Sequence, residues 1–156
     1  MSSGFAPPPG APTIETSVLI AAPIAEVWSI LTAFEAYGAW NAQIPRIDGV
    51  AVAGSTIVLN PAGEPRKSVR IEALAPYVMH WVGGADNPAD FQGDHFFELE
   101  PVTVNETLFL HREFFTGKLA ASILGAFREA IRANFDTFNN CLQTASEQAV
   151  APSRQD

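Results

Sequence analysis

The sequence contains a single cysteine, Cys141, and few basic residues. One cysteine forms neither an intramolecular disulfide nor a CxxC redox pair, so the chain suits a reducing compartment. Only 9 lysines and arginines stand against 17 aspartates and glutamates, which gives a formal net charge of −8. Nucleic acids and anionic membrane surfaces carry charge of the same sign and would repel this chain. We therefore expect neither class of partner.

Long apolar runs are also missing. No stretch reaches the roughly 18 consecutive apolar residues that span a bilayer, so no membrane span is predicted. Residues 1–12 are rich in proline and glycine and contain neither a basic residue nor the apolar segment of a signal peptide. We predict a disordered tail at 1–12, a single domain at 13–147, a frayed polar tail at 148–156 and a cytoplasmic location.

Motifs for metals, nucleotides and serine nucleophiles are absent from the sequence. The three histidines, His80, His95 and His111, fall in separate predicted strands without the spacing of a metal site. No G-x-S-x-G elbow is present, and Gly83-Gly84 lacks the helix and lysine of a phosphate-binding loop. The sequence therefore predicts no metal and no cofactor.

Apolar residues make up 47% of the sequence, and they include 11 phenylalanines and 3 tryptophans. The longest periodic pattern runs from about Gly117 to about Glu147, where apolar side chains recur every three or four residues. This spacing predicts one long amphipathic helix with a buried stripe. The stripe consists of Leu119, Ile123, Phe127, Ile131, Phe135, Phe138 and Leu142.

The rest of the chain predicts one strand, two short helices and then a series of strands. The first strand covers 13–20, the helices cover 24–31 and 34–37, and the later strands cover 46–52, 55–60, 67–75, 78–82, 94–100 and 105–116. Strands in series with segregated helices are typical of an α+β fold with an antiparallel sheet. A curved sheet of this kind around the long helix would leave space for a ligand.

Several short motifs follow one another in a fixed order. They are Val27-Trp28, Tyr37, Trp40-Asn41, Gly54, His95-x-Phe97 and Thr107-x-x-x-His111-x-Glu113-x-Phe115-x-Gly117. Between Thr13 and Gln143 this order resembles the START-like SRPBCC superfamily, close to its polyketide cyclase/dehydrase-like branch, although Ala42 stands where relatives often carry proline. The resemblance implies a helix-grip fold with a deep, mostly apolar pocket between the sheet and the last helix. It implies no particular reaction, since members include both carriers and aromatase/cyclases.

His95 and Glu113 are the polar residues that we expect to face this pocket. His95 shares a strand face with Phe97 and Leu99, whereas the opposite face carries three carboxylates, so the His95 face is predicted to point inward. An imidazole beside a carboxylate in an apolar cavity can transfer protons. The alternative is a structural role, in which His95 bonds to a loop and Glu113 forms an ion pair.

The register of the last two strands decides which residues meet. If partner numbers sum to 206, His95 lies opposite His111 and Phe97 lies opposite Phe109. A sum of 205 would instead turn His111 and Glu113 outward. The sequence leaves both registers open.

Two functions remain open for this pocket. In the first, which we favour, the protein binds a small hydrophobic molecule of aromatic or polyketide-like kind, and His95 and Glu113 orient its polar end. In the second, the protein is a cofactor-independent cyclase, dehydratase or isomerase, with His95 or Glu113 as the proton-transfer group. A protein-interaction domain with a filled core is a third, weaker reading. The predicted ligand-binding residues are Trp40, Trp81, Phe97, Phe109, His111, Phe115, Phe127, Ile131 and Phe135.

Overall fold

The computed structural model describes residues 4–151. Seven strands, two α-helices and one short 3₁₀ helix follow one another along these residues. In chain order they are β1 (Thr13–Ile20), α1 (Ile24–Thr32), the 3₁₀ helix (Phe34–Ala39), β2 (Arg46–Asp48), β3 (Thr56–Asn60), β4 (Lys67–Ala75), β5 (Val78–Gly84), β6 (Gln92–Thr103), β7 (Glu106–Thr116) and α2 (Ala120–Val150). Neither helix α1 nor α2, nor any other helix within 4–151, is long and apolar enough to cross a membrane.

All seven strands form one curved antiparallel sheet in the order β1-β7-β6-β5-β4-β3-β2. Strands β2 to β7 are consecutive hairpin neighbours, and β1 adds to β7 at the far edge. Helix α2 packs against β1, β7 and α1. This arrangement confirms the predicted α+β fold with a sheet wrapped around a long C-terminal helix.

Helix α2 buries only part of its predicted apolar stripe. Phe138 and Leu142, in its C-terminal half, are fully buried in the core, whereas Leu119 and Phe127 are 44% and 57% exposed. The period of the stripe is right, but the prediction of burial along its whole length is wrong. The N-terminal half of α2 packs on β1 and β7 through Ala120 and Leu124, while Ile123, Phe127 and Ile131 border the space described below.

The core consists of two clusters of buried apolar residues. The larger cluster includes Tyr37, Trp81, Phe97 and Phe109, and it is closed by Phe138 of α2. The smaller cluster lies toward the start of α2 and contains Ile14, Phe115, Ala120, Leu124 and Phe135. The candidate site lies beside the aromatic residues of both clusters.

The N-terminal segment lies against the outer face of the sheet. The Phe5 ring packs edge-on against Phe96, with centroids 5.2 Å apart, and the Arg112 guanidinium stands 4.2 Å from the Phe5 centroid. Beneath it, Glu98 is 2% exposed and accepts a hydrogen bond of 2.8 Å from Arg112. The N-terminal segment thus covers part of the outer face of β6 at Phe96.

The remaining predictions for the chain ends stay open. Residues 1–3 and 152–156 lie outside the described residues. Helix α2 continues to Val150, three residues beyond the predicted domain end at 147. The domain limits at 13 and 147 stay predictions.

Candidate functional site

A cavity of about 570 Å³ lies between the sheet and the N-terminal half of α2. Strands β3 to β7 form one wall, α2 forms the other, and residues 61–66 close one side. Apolar side chains dominate the lining, with a small polar group on β6 and β7. The lining from the sheet includes Leu59, Val69, Trp81, His95, His111, Glu113 and Phe115, and that from α2 includes Ile123, Phe127, Ala130, Ile131, Asn134 and Phe135.

Gly93 makes room for the Glu113 carboxyl. Gly93 lies on β6 opposite Phe115, and a Cβ atom at this position would collide with Oε2 of Glu113. The missing side chain thus allows the carboxyl to lie flat against β6 at the cavity wall. Nothing in the sequence pattern marked Gly93 as part of the site.

The register of β6 and β7 places His95 directly opposite Glu113. The partner numbers sum to 208, so Phe97 lies opposite His111 and Leu99 lies opposite Phe109. The observed sum is neither of the two considered from the sequence, and it has the parity of 206, so His95, His111 and Glu113 share one face of the sheet. The alternative sum of 205 is excluded. A carboxyl oxygen of Glu113, Oε1, lies 3.7 Å from Nδ1 of His95.

Most of the predicted ligand-binding residues line the cavity. Those that do are Trp81, His111, Phe115, Phe127, Ile131 and Phe135, together with His95 and Glu113. Three others are not among its lining residues: Trp40, Phe97 and Phe109. The reason is that they lie toward the closed end of the fold, where the 3₁₀ helix and Phe138 fill the space; Trp40, for example, packs 4.8 Å from Tyr37 and 5.8 Å from Phe138.

A buried hydrogen-bond chain fixes the orientation of His111. Nδ1 of His111 lies 2.7 Å from Oδ1 of Asn139, and the Asn139 amide donates to Oγ1 of Thr16 at 2.9 Å. The Thr16 hydroxyl donates in turn to the His111 carbonyl, also at 2.9 Å. Because the Asn139 amide group points at Thr16, its oxygen faces His111, and we assign the His111 hydrogen to Nδ1.

This assignment determines the tautomer of His95. Nε2 of His111 carries no hydrogen and accepts one from Nε2 of His95, 2.6 Å away. Nδ1 of His95 then carries no hydrogen, and it lies 3.7 Å from Oε1 of Glu113. The His95 ring is held by near-parallel rings on two sides, Phe97 at 4.4 Å and Phe135 at 4.9 Å between centroids. Its orientation is therefore set by packing as well as by hydrogen bonding.

Burial keeps all three groups uncharged near neutral pH. It lowers the pKa of His95 well below its usual 6.5, and the neighbouring His111 lowers it further. Burial also lowers the pKa of His111 to about 3, although the bond to Asn139 opposes the shift. For Glu113 burial raises the pKa to about 8, against the opposing effect of Lys67. The site therefore holds a protonated carboxyl beside a neutral imidazole.

Sequence reasoning missed Thr16 and Asn139, which both form hydrogen bonds with His111. Asn139 lies one turn after Phe135, next to the apolar stripe of α2, and is 4% exposed. A polar residue on the buried side of a helix is the signal that could have identified it. Thr16 gives a weaker signal: it shares the inward face of β1 with Ile14.

Polar contacts cross one side of the cavity at its rim. The Asn134 amide on α2 donates to Oε1 of Glu64 at 3.2 Å, and Nζ of Lys67 lies 3.7 Å from Oε2 of Glu64. Phe127, more than half exposed, also borders the cavity and marks its open part. Within residues 4–151, no group of three or more histidine, cysteine or acidic residues is placed to hold a metal ion.

The fold and the cavity together define a helix-grip protein with an internal ligand-sized space. The family model described as "Polyketide cyclase / dehydrase and lipid transport" matches residues 11–147. The chain therefore belongs to this family, and the resemblance to the START-like SRPBCC superfamily is confirmed. No significant match was found among proteins with curated descriptions.

Solved structures with the same fold include two enzymes and one protein whose name gives only its superfamily. Zhui aromatase/cyclase from Streptomyces sp. R1128 is 18% identical, with a TM-score of 0.73 over 91% of this chain and 97% of that chain. A START superfamily protein from Mycobacterium smegmatis is 18% identical, with a TM-score of 0.71 over 90% and 100%. Norcoclaurine synthase from Thalictrum flavum is 6% identical, with a TM-score of 0.71 over 90% and 97%. At these identities the likeness establishes the fold alone.

Proposed function

We propose that the protein binds a small hydrophobic molecule, of aromatic or polyketide-like kind, in the cavity between the sheet and α2. The observation that carries this proposal is the cavity itself, about 570 Å³ in volume and lined largely by apolar side chains. Pockets for small molecules typically measure about 300–1,000 Å³ and combine apolar walls with a few polar groups. Here the buried polar groups are concentrated at His95, His111 and Glu113.

The aromatic lining supports a ring-containing ligand. Phe91 and Phe115 lie nearly parallel, with centroids 5.7 Å apart, and both border the cavity. Trp81 borders it on the sheet side and Phe127 on the helix side. Contacts between aromatic rings contribute about 0.5–1.5 kcal/mol beyond the burial of area, so a planar ligand would gain from several walls at once.

A second candidate function is cofactor-independent catalysis of cyclisation, dehydration or isomerisation. The observation that favours it is the pairing of a protonated carboxyl, Glu113, with the free Nδ1 lone pair of His95. Such a pair can supply one proton and accept another during proton transfer next to a carbonyl group. The names of two structural relatives, an aromatase/cyclase and a norcoclaurine synthase, agree with this alternative.

A cavity-blocking substitution tests the binding proposal. The neutral fluorescent probe N-phenyl-1-naphthylamine should bind saturably to the wild-type protein, and Ile131→Trp, which fills the cavity, should weaken binding at least about tenfold. Arg132→Trp is the matched control, since it adds the same ring one position along α2 on the exposed side. Absence of probe binding to the wild type, or equal binding by both folded variants, would overturn the proposal.

Conversion assays separate the carrier from the enzyme. Hydroxylated polyketide-like compounds are incubated with the wild type, His95→Gln and Glu113→Gln, and both binding and product are measured. Loss of an acid–base group typically lowers a rate by about 10²–10⁴-fold. Conversion that falls on this scale while binding persists identifies an enzyme, and binding without conversion identifies a carrier.

A further inference from the structure

Glu113 has unused hydrogen-bonding capacity at the cavity wall. Within residues 4–151 its only polar contact is Nδ1 of His95 at 3.7 Å, which is too long for a hydrogen bond. Its side chain is only 15% exposed, so bulk water does not surround it. A polar group that is largely buried without a partner costs about 1–3 kcal/mol. The Glu113 carboxyl lies on the cavity side of the sheet, where a ligand atom can bond to it.

His95 presents a matching acceptor in a fixed direction. Its Nε2 hydrogen is committed to His111, and its ring is held between Phe97 and Phe135. Trp81 adds an edge contact, with centroids 5.6 Å apart. The imidazole can therefore neither rotate nor exchange its two nitrogens without disrupting the buried bond to His111. Its Nδ1 atom, which carries no hydrogen, thus stays 3.7 Å from Oε1 of Glu113.

The spacing of these two groups suits one bridging atom. An oxygen at an ordinary hydrogen-bond length of about 2.8 Å from both atoms fits across a separation of 3.7 Å. That oxygen would accept the hydrogen of the Glu113 carboxyl and would donate its own hydrogen to Nδ1 of His95. A hydroxyl group does both, whereas an ether or a carbonyl only accepts and an ammonium group only donates.

We propose that the cavity selects ligands that carry a hydroxyl group, as an alcohol, phenol or enol, bound between Glu113 and His95. The inference rests on the proposed function, because it assumes that an apolar ligand occupies the cavity. It adds the chemical class of the ligand's polar group and names the two residues that bind this group. A ligand carboxylate is disfavoured there, since it brings a negative charge into a site whose own carboxyl is already desolvated.

Three naphthalene probes measure this selectivity. Each displaces N-phenyl-1-naphthylamine from the wild-type protein at neutral pH, and the probes are 2-naphthol, 2-methoxynaphthalene and naphthalene. We expect 2-naphthol to bind at least about tenfold more tightly than naphthalene, with 2-methoxynaphthalene between them because it can only accept. In Glu113→Leu the ratio of the 2-naphthol and naphthalene affinities should fall to about one. Glu129→Leu, on the exposed side of α2, is the control and should keep the wild-type ratio.

Each outcome bears on a different proposal. Three probes that bind equally well, or a preference for 2-naphthol that persists in Glu113→Leu, would overturn the hydroxyl inference and leave the binding proposal intact. Failure of all four compounds to bind would overturn the binding proposal. If Glu113→Leu does not fold, ¹⁵N NMR of His95 in the wild type decides instead. The Nδ1 resonance should move toward lower frequency on addition of 2-naphthol and stay in place with naphthalene; an unchanged resonance would refute the inference.

Discussion

The Nε2 atoms of His95 and His111 lie 2.6 Å apart, and only one of them carries a hydrogen. The bond from His111 to Asn139 decides which one, since it holds the His111 hydrogen on Nδ1. Adding a proton to His111 at Nε2 would place two N–H groups against each other in a buried space. The pair therefore resists protonation, in agreement with the lowered pKa of both rings.

The histidine pair should make the fold sensitive to acid. In the unfolded chain both rings take up protons near pH 6.5, while in the folded protein both stay neutral to much lower pH. The stabilisation is therefore complete above pH 6.5 and is lost as the pH falls toward about 3. Each histidine contributes at most about 1.4 kcal/mol per pH unit. The prediction is checked by urea unfolding of Glu113→Gln between pH 7 and pH 4, because this variant lacks the opposing carboxyl.

A flat profile in this range would show that the two rings are protonated in the folded state. His111→Phe provides the comparison, since it keeps a ring in place and removes one titrating group. When His111→Phe is combined with Glu113→Gln, the change in unfolding free energy per pH unit should be about half of that in Glu113→Gln alone.

Glu113 should act on stability in the opposite direction. Its pKa is raised from 4.5 to about 8 by burial, and Lys67 and Asp94 modify this shift. The contribution of the protonated carboxyl is fully present below pH 4.5 and is lost as the pH rises toward about 8. The wild type should therefore lose stability relative to Glu113→Gln over this range, by up to about 1.4 kcal/mol per pH unit. Denaturant titrations of both proteins across the range measure the difference. A difference independent of pH would mean that Glu113 ionises normally.

Asn139 should control the tautomers of both histidines. In Asn139→Leu, Nδ1–H of His111 loses its buried acceptor, and the Thr16 hydroxyl loses a donor. We expect the hydrogen of His111 to move to Nε2, which would force His95 into its Nδ1–H form. The free energy of unfolding should fall by about 1–3 kcal/mol. Imidazole ¹⁵N shifts report each tautomer directly.

Thr16→Val is the control for the tautomer prediction. It removes the hydroxyl that bonds the Asn139 amide and leaves Oδ1 of Asn139 in place. We expect it to lower stability without exchanging the tautomers. Unchanged ¹⁵N shifts in Asn139→Leu would contradict the assigned hydrogen positions.

Local patterns predicted the elements well where alternation is regular. Strand β4, Lys67–Ala75, has the predicted ends, and inward and outward residues alternate along it as far as the irregularity after Ile71. Strand β2 ends at Asp48 rather than at residue 52, because Gly49 adopts a φ of 126° and the chain turns away. Gly49 also lies against Ile57, where a Cβ atom would collide with Cγ2. A single glycine in a strand-like run reveals neither the positive φ nor the close contact with Ile57.

Strand register depended on the turn, which the sequence pattern does not determine. The alternation predicted the inward direction of His95, whereas the direction of Glu113 depended on the register. Strand β6 continues to Thr103 and the turn lies at 104–105, not at the predicted 101–104, and an irregularity between Pro101 and Thr103 lowers the sum of paired residue numbers from 209 to 208. His95 therefore lies opposite Glu113. The hydrogen bonds from Thr16 through Asn139 to His111 join three elements that are distant in sequence, β1, α2 and β7. Such contacts arise from tertiary packing, so no local spacing predicts them.

Phe127 should contribute to ligand binding but little to folding. Because its side chain is 57% exposed, Phe127→Ala should change the free energy of unfolding by less than about 1 kcal/mol, whereas Phe138→Ala, at a site 1% exposed, should cost about 3–5 kcal/mol. The affinity for N-phenyl-1-naphthylamine should nevertheless fall in Phe127→Ala, since this ring borders the cavity. Leu119→Ala, 44% exposed and outside the cavity lining, should leave the affinity unchanged. Equal destabilisation by Phe127→Ala and Phe138→Ala would mean that the start of α2 packs on a filled core.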